Sequence, residues 1–326
     1  MGKGKQLALV GAAVLCAYLF CCAPEKAAEP MEKNEMRSVM RQNDSIAQSS
    51  TSAPIHAPAS AAEEAESPRF APSRAENAVA MTISATALIK NETGYQIDAA
   101  ETVKGGTSLR LSSSGPQILI IHTHSSEAYT PAGLDRYEES DNARTEDAEY
   151  NIIRVGDELT RLFEQAGLRV IHDRGVYDYP SYTGSYSRSG AAVEQYLSEY
   201  PSLSVVLDVH RDALGADDVI YKTVAEEAGT CASQAMLLVG TDETGLEHPF
   251  WRSNLSLALY LQNALLEAHP TLMRPVAVVP QRYNQQLCPG MLILEVGSSG
   301  NTLQEALAAI RLFAGAAAPA LLALVE

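Results

Sequence analysis

Ile118-Leu119-Ile120-Ile121-His122-Thr123-His124-Ser125-Ser126-Glu127 passes in one step from four large aliphatic residues to a polar run with two histidines and a carboxylate. Four apolar residues without alternation suit a strand buried on both faces, the pattern of a parallel sheet covered by helices. Similar runs recur at Leu168-Arg169-Val170-Ile171, Leu203-Ser204-Val205-Val206-Leu207, Met236-Leu237-Leu238-Val239, Val276-Ala277-Val278-Val279 and Met291-Leu292-Ile293-Leu294. Helical spacing lies between them. Ile152, Val155, Leu159, Leu162 and Phe163 share one face and stop at Gly167, a C-cap residue, and residues 191–200, 255–268 and 303–324 behave similarly. Strands alternating with helices predict an α/β domain over residues 116–326, with a largely parallel central sheet flanked by helices.

Ligands of such sheets gather beyond the carboxyl ends of the strands, so the residues after each apolar run carry the functional reading. His122 and His124 follow the first run, Asp208-Val209-His210-Arg211-Asp212 the third, and Glu295-Val296-Gly297 the last. Two imidazoles and a carboxylate delivered to one edge make a donor set that zinc prefers. A further carboxylate there would move protons between water and a leaving amine. Each residue also has a plainer reading: a histidine after a strand is commonly a hydrogen-bonded structural residue, and Asp208 would equally orient His210 or simply end its strand. Glu295 is harder to dismiss, because a carboxylate straight after four apolar residues needs a partner.

The rest of the chain has other tasks. The 326 residues carry a net charge of −16, which excludes a basic face for nucleic acid. Five cysteines are too few for a disulfide scaffold. Three of them lie in Gln6–Pro24, an uncharged stretch that would span about 28 Å as a helix, just enough to cross a bilayer. Lys3 and Lys5 before it and Glu25, Glu29 and Glu32 after it place residues 1–5 in the cytoplasm and the remainder outside, as a single-pass protein of the cell membrane. Cleavage after Ala23 or Ala28 would instead release the domain. Residues 25–80 are rich in Ser, Ala and Pro without apolar periodicity, which predicts a disordered linker. Residues 81–115 read as a small N-terminal extension of the main domain, with a strand in Met81–Lys90. Outside the membrane, Cys231 and Cys288 have the option of a disulfide.

From Met81 onward the motifs resemble the stage II sporulation protein P family. The resemblance is carried by Lys90-Asn91-Glu92-Thr93-Gly94-Tyr95, His122-Thr123-His124-Ser125-Ser126-Glu127-Ala128-Tyr129, Val155-Gly156-Asp157-Glu158-Leu159, the stretch 178–189, Asp208-Val209-His210-Arg211-Asp212-Ala213, Arg282-Tyr283-Asn284-Gln285 and Glu295-Val296-Gly297 with Asn301-Thr302. It implies a zinc amidase-like fold and a membrane-anchored, zinc-dependent N-acetylmuramoyl-L-alanine amidase. Such an enzyme would cut the lactyl-alanine amide of peptidoglycan during septal wall removal and forespore engulfment, with the stage II sporulation proteins D and M as partners. By the same resemblance the zinc ligands are His124, Glu127 and His210, and Glu295 is the general base and acid. Glu146 and Glu149 are alternatives to Glu127, and His122 is a reserve ligand to His124. Arg211 is expected at the substrate or its oxyanion, or else paired with Asp208 or Asp212. Tyr177, Tyr179, Tyr182 and Tyr186 are candidates for glycan stacking or for packing. Two rival functions are a catalytically inactive wall-binding scaffold and a zinc endopeptidase acting on the stem peptide.

Overall fold

The computed structural model describes residues 88–326, apart from positions 142, 217, 218 and 228. The expected membrane anchor, the linker and most of the predicted strand at 81–90 lie outside the described residues. Seven strands form one sheet: β1 (Ile89–Asn91), β2 (Ile118–Ile121), β3 (Val170–His172), β4 (Val205–Asp212), β9 (Ala235–Gly240), β10 (Val276–Val279) and β11 (Met291–Ser298). Their order is β1-β10-β9-β11-β4-β2-β3. Two short hairpins, β5 (Gly215–Ala216) with β6 (Val219–Ile220) and β7 (Ala225–Glu227) with β8 (Thr230–Ala232), fill the connection from β4 to β9. The helices are α1 (Ala99–Gly105), α2 (Ile152–Ala166), α3 (Ser185–Glu199), α4 (Trp251–Ala268) and α5 (Leu303–Leu322).

All neighbouring strands of the large sheet are parallel except β9 and β11. A parallel return needs a long crossover, usually a helix. The β4-to-β9 connection contains only hairpins, so β9 starts at the edge where β4 ends and runs back. The N-terminal extension is part of the sheet, since β1 pairs with β10 as the edge strand. Its helix α1 starts at Asp98, whose side chain accepts a hydrogen bond from the Glu101 amide.

Alternation along the strands divides the core into two layers. Ile118, Ile120, Val205, Leu207, Val209, Leu292, Leu294 and Val296 face α2, α4 and α5 in the larger cluster. Leu119, Ile121, Val206 and Met291 face Ala192, Val193 and Tyr196 of α3. Helix α2 begins at Asn151, which caps the Ile153 amide, and ends at Gly167 with φ 102°, a left-handed backbone that glycine adopts without steric cost. Helix α5 opens with a reciprocal capping box between Thr302 and Glu305. It is long and apolar enough to cross a membrane, but Ala306, Ile310, Phe313 and Ala317 are packed in the larger core. Cys231 and Cys288 are both free thiols, and burial pushes the Cys288 thiol up to about 11.

Glu158 joins α2 to α5 by accepting hydrogen bonds from Arg161 and Arg311 at 2.7–2.9 Å. The Arg161 bonds, ahead of the opposing effect of burial, hold its carboxyl down at about 2. A depressed carboxylate contributes stability above its ordinary pKa and loses it as pH falls through the folded value. Glu158→Gln is therefore expected to lower stability by about 1–2 kcal/mol at pH 7, the half-exposed arginines reducing the Coulomb gain. The mutant's deficit should shrink between about pH 4.5 and pH 2, measured by denaturant melts across that range.

Candidate metal and catalytic site

The site lies on the α3 face of the sheet, at the carboxyl ends of β2, β4 and β11. Val205, Leu207 and Val209 point into the larger core, so Asp208 and His210 take the other face. Glu295 is in direct register with His210 on the neighbouring strand. His124 comes from the turn after β2, its ring centroid 5.4 Å from that of His210 and nearly perpendicular to it. Glu127 closes the group, with Oε2 3.3 Å from His210 Nδ1 and accepting a hydrogen bond from the Arg211 amide at 3.2 Å.

The four sequence-chosen residues thus assemble, and the carboxylate alternatives separate. Glu146 and Glu149 are exposed, whereas Glu127 is buried beside His210. Asp208 sits behind the site, accepting from the Thr123 amide and hydroxyl at 2.8 and 2.7 Å. His210 Nε2 lies 2.9 Å from Asp208 Oδ1 but is out of line for a hydrogen bond.

His122 is turned to the opposite face, against α2. Its Nδ1 is 2.9 Å from the Val209 carbonyl, which only accepts, so Nδ1 carries the proton and Nε2 accepts from His172 Nε2 at 2.8 Å. Burial, then His172, holds the His122 imidazole down at about 3, in keeping with a neutral ring. Gly156 makes room for the pair: a Cβ there would stand 2.4 Å from His122 Nε2 and 2.6 Å from His172 Nε2. Gly156→Ala is expected to destabilise the chain by about 2 kcal/mol, because overpacking and loss of the histidine pair outweigh about 1 kcal/mol of improved helix propensity. A fall in Tm of roughly 4–8 °C would register it.

Arg211 differs from expectation. Its Nε donates to the Ala128 carbonyl at 2.6 Å and Nη2 to the Ala143 carbonyl at 2.8 Å, so the guanidinium braces the backbone behind Glu127. Neither aspartate takes it, and Asp212 pairs with Arg274 at 2.7 Å. The tyrosines divide by role. Tyr182 stacks on His124 with centroids 4.4 Å apart, and Tyr186 meets the same ring edge-on at 5.5 Å. Tyr177 bonds Asp173, and Tyr179 is exposed.

Two residues escaped the sequence reading, Arg144 and Asp178. Arg144 Nη1 donates to Asp178 Oδ2 at 2.7 Å and to Ser126 Oγ at 3.0 Å, while Nη2 lies 3.5 Å from Glu127 Oε1. Their sequence signals were slight: an arginine amid the acidic stretch 138–149, and an aspartate at the start of a tyrosine-rich run.

Electrostatics distinguish these side chains. Burial, followed by the Asp212 charge, raises the Glu295 carboxyl to about 8. Burial and then His210 and Arg144, against Glu127, hold the His124 imidazole down at about 4. For His210 burial acts downward, but the Asp208 and Glu127 carboxylates override it and raise the imidazole well above its ordinary value. Among the described residues, no three His, Cys, Asp or Glu side chains converge closely enough on one point to form a metal cage. His124 Nδ1, His210 Nε2 and Glu295 Oε2 are nevertheless buried without a hydrogen-bond partner. Buried polar atoms of native proteins are nearly always satisfied, so the unsatisfied His124 Nδ1 and Glu295 Oε2, with His210 Nε2 facing only a misaligned Asp208 carboxylate, suit a bound cation, and two imidazoles with a carboxylate fit zinc by donor type.

Fold and cluster together define a class: an α/β domain with a histidine and carboxylate centre at the carboxyl ends of its parallel strands. The profile of the stage II sporulation protein P family matches residues 17–318, and the chain belongs to that family. The stage II sporulation protein P of Bacillus subtilis (strain 168) is 27% identical over 203 residues, covering 58% of this chain and 47% of the relative. The match therefore spans about half of that relative's length. Among solved structures, the N-acetylmuramoyl-L-alanine amidase AmiC2 of Nostoc punctiforme is 13% identical with a TM-score of 0.36, covering 65% of this chain and 98% of its own. The CwlD amidase of Clostridioides difficile, solved in complex with the GerS lipoprotein, is 15% identical with a TM-score of 0.38, covering 64% and 98% respectively.

Proposed function

We propose that the chain is a zinc-dependent peptidoglycan hydrolase, an N-acetylmuramoyl-L-alanine amidase that cleaves the lactyl-alanine amide during septal wall removal and engulfment in sporulation. The observation that carries this reading is the set of three unpartnered buried atoms, on His124, His210 and Glu295, within one cluster at the strand ends. His124, Glu127 and His210 would hold the metal, with Asp208 and Arg144 as their outer partners. Zinc, when bound, supplies Lewis acidity to the scissile carbonyl and to the attacking water. Glu295 takes the proton from that water and returns it to the departing alanine nitrogen, and burial sustains the basicity this requires. Tyr182, stacked on His124 and half exposed, borders the approach to the site. The function also includes a single-pass anchor at residues 6–24, with the domain outside the cell membrane, and association with the stage II sporulation proteins D and M.

The test is digestion of intact peptidoglycan by the full chain with and without zinc, read by mass spectrometry. Zinc-dependent release of peptides beginning with free alanine, leaving bare muramic acid on the glycan, is the expected result. Cleavage confined to bonds within the stem peptide would establish an endopeptidase instead, and binding to sacculi without cleavage would establish a scaffold.

A further inference from the structure

We infer that Arg144 is a positioning residue of the site, one that fixes Glu127 and the His124 turn by bridging two buried carboxylates. Among the described residues it is the only Arg or Lys whose side chain is within ion-pair distance of Glu127. The same guanidinium holds Asp178 at 2.7 Å. Asp178 in turn ties down the turn after β2, accepting from Ser125 Oγ at 3.0 Å, Ser126 Oγ at 2.6 Å and the Ser126 amide at 3.2 Å. Its Oδ2 is 4.0 Å from His124 Nδ1. Three carboxylates therefore flank the two histidines, Asp208 and Glu127 at His210 and Asp178 at His124, and Arg144 is the group that joins Glu127 to Asp178.

The charge logic explains why a cation is needed there. The Asp178 side chain is fully buried and that of Glu127 is 8% exposed, so an unscreened pair would repel and each would carry its own desolvation cost. Arg211 adds its charge to that of His210 near Glu127 but does not bridge the two carboxylates, because its Nε and Nη2 donate to carbonyls and only its backbone amide reaches Glu127. A planar fork contacts two acceptors at once, which a lysine ammonium does less well. The guanidinium also lies 5.1 Å from the Tyr182 ring centroid, so the ring that covers His124 is seated on the same cation.

The test compares the full chain in detergent with Arg144→Met and Arg144→Lys, by hydrogen exchange and by zinc competition against a chromophoric chelator. In Arg144→Met, exchange of the peptide holding Ser126 and Glu127 should rise at least tenfold while that of α2 and β9 stays unchanged. Zinc affinity should fall roughly 10- to 100-fold, the range expected for an outer-sphere partner. Arg144→Lys should recover part of both. Unchanged exchange and affinity in Arg144→Met would overturn the inference, as would a rise spread equally over α2 and β9 or a lysine variant no better than methionine. The zinc arm rests on the proposed function. A wild-type chain that takes up no zinc would count against that function, while local exchange alone still decides the positioning role.

Discussion

His210→Ala is expected to abolish the zinc-induced stabilisation that the proposed metal site predicts. A ligand that binds only the folded state adds RT ln(1 + [L]/Kd), about 4 kcal/mol at a thousand times Kd. For wild type this should appear as a rise in Tm on adding zinc, and in the variant the rise should vanish. The loss should exceed the 10- to 100-fold typical of an outer partner, because His210 offers one of the orphaned nitrogens directly. The metal-free variant should also melt lower. His210 lies between Asp208 at 2.9 Å and Glu127 at 3.3 Å, and its removal leaves two buried carboxylates facing an empty volume. Breaking a buried charge arrangement from one side costs about 3–5 kcal/mol. The two effects are separable, since one is read without zinc and the other as the zinc-induced difference. A His210→Ala chain that still gains wild-type stability from zinc would remove His210 from the ligand set.

How far the sequence foretold this site follows from what each signal encodes. The runs at 118–121, 276–279 and 291–294 were legible because a strand buried on both faces needs unbroken apolar residues. Direction was not: nothing in Met236–Val239 says that β9 runs against β11, since that depends on how the preceding chain returns. The hairpins between β4 and β9 were missed because strands of two or three residues leave no periodicity to detect. At the site, His210 and Glu295 were found by their place after apolar runs, and their register on adjacent strands makes them neighbours. The choice between His122 and His124 was not legible, because strand alternation would put both on one face; β2 ends at Ile121 and the chain turns, leaving His122 against α2 and bringing His124 to the other side. Arg144 and Asp178 were not legible either, because they lie in loops and meet only through the tertiary fold. Arg211 was misjudged for a related reason. Adjacency to His210 in sequence sends its side chain the other way, where the carbonyls of Ala128 and Ala143 take it.

Glu295→Gln is expected to cut the rate of amide hydrolysis by 10²- to 10⁴-fold, the usual contribution of a positioned acid and base. The substitution keeps volume and shape and removes only the ability to accept a proton, so zinc-induced stabilisation should survive within about a factor of ten in Kd. That contrast distinguishes Glu295 from His210, although the two are paired in register. The fold should tolerate the change, because a neutral amide at a site where burial and Asp212 already oppose the charged carboxylate relieves that repulsion. Stability equal to or above wild type, with zinc binding kept and hydrolysis lost, would assign Glu295 to the reaction. Loss of zinc in parallel with activity would make Glu295 a ligand, and full activity would require another residue to carry the proton. The first outcome is favoured by position: Glu295 is carried by β11, in register with His210 on β4, whereas His124 and Glu127 come from the segment after β2, the strand on the other side of β4. A general base needs hydrogen-bond reach of the attacking water rather than a bond to the metal, and a carboxylate on a strand separate from the strand and turn that carry the proposed ligands suits that task.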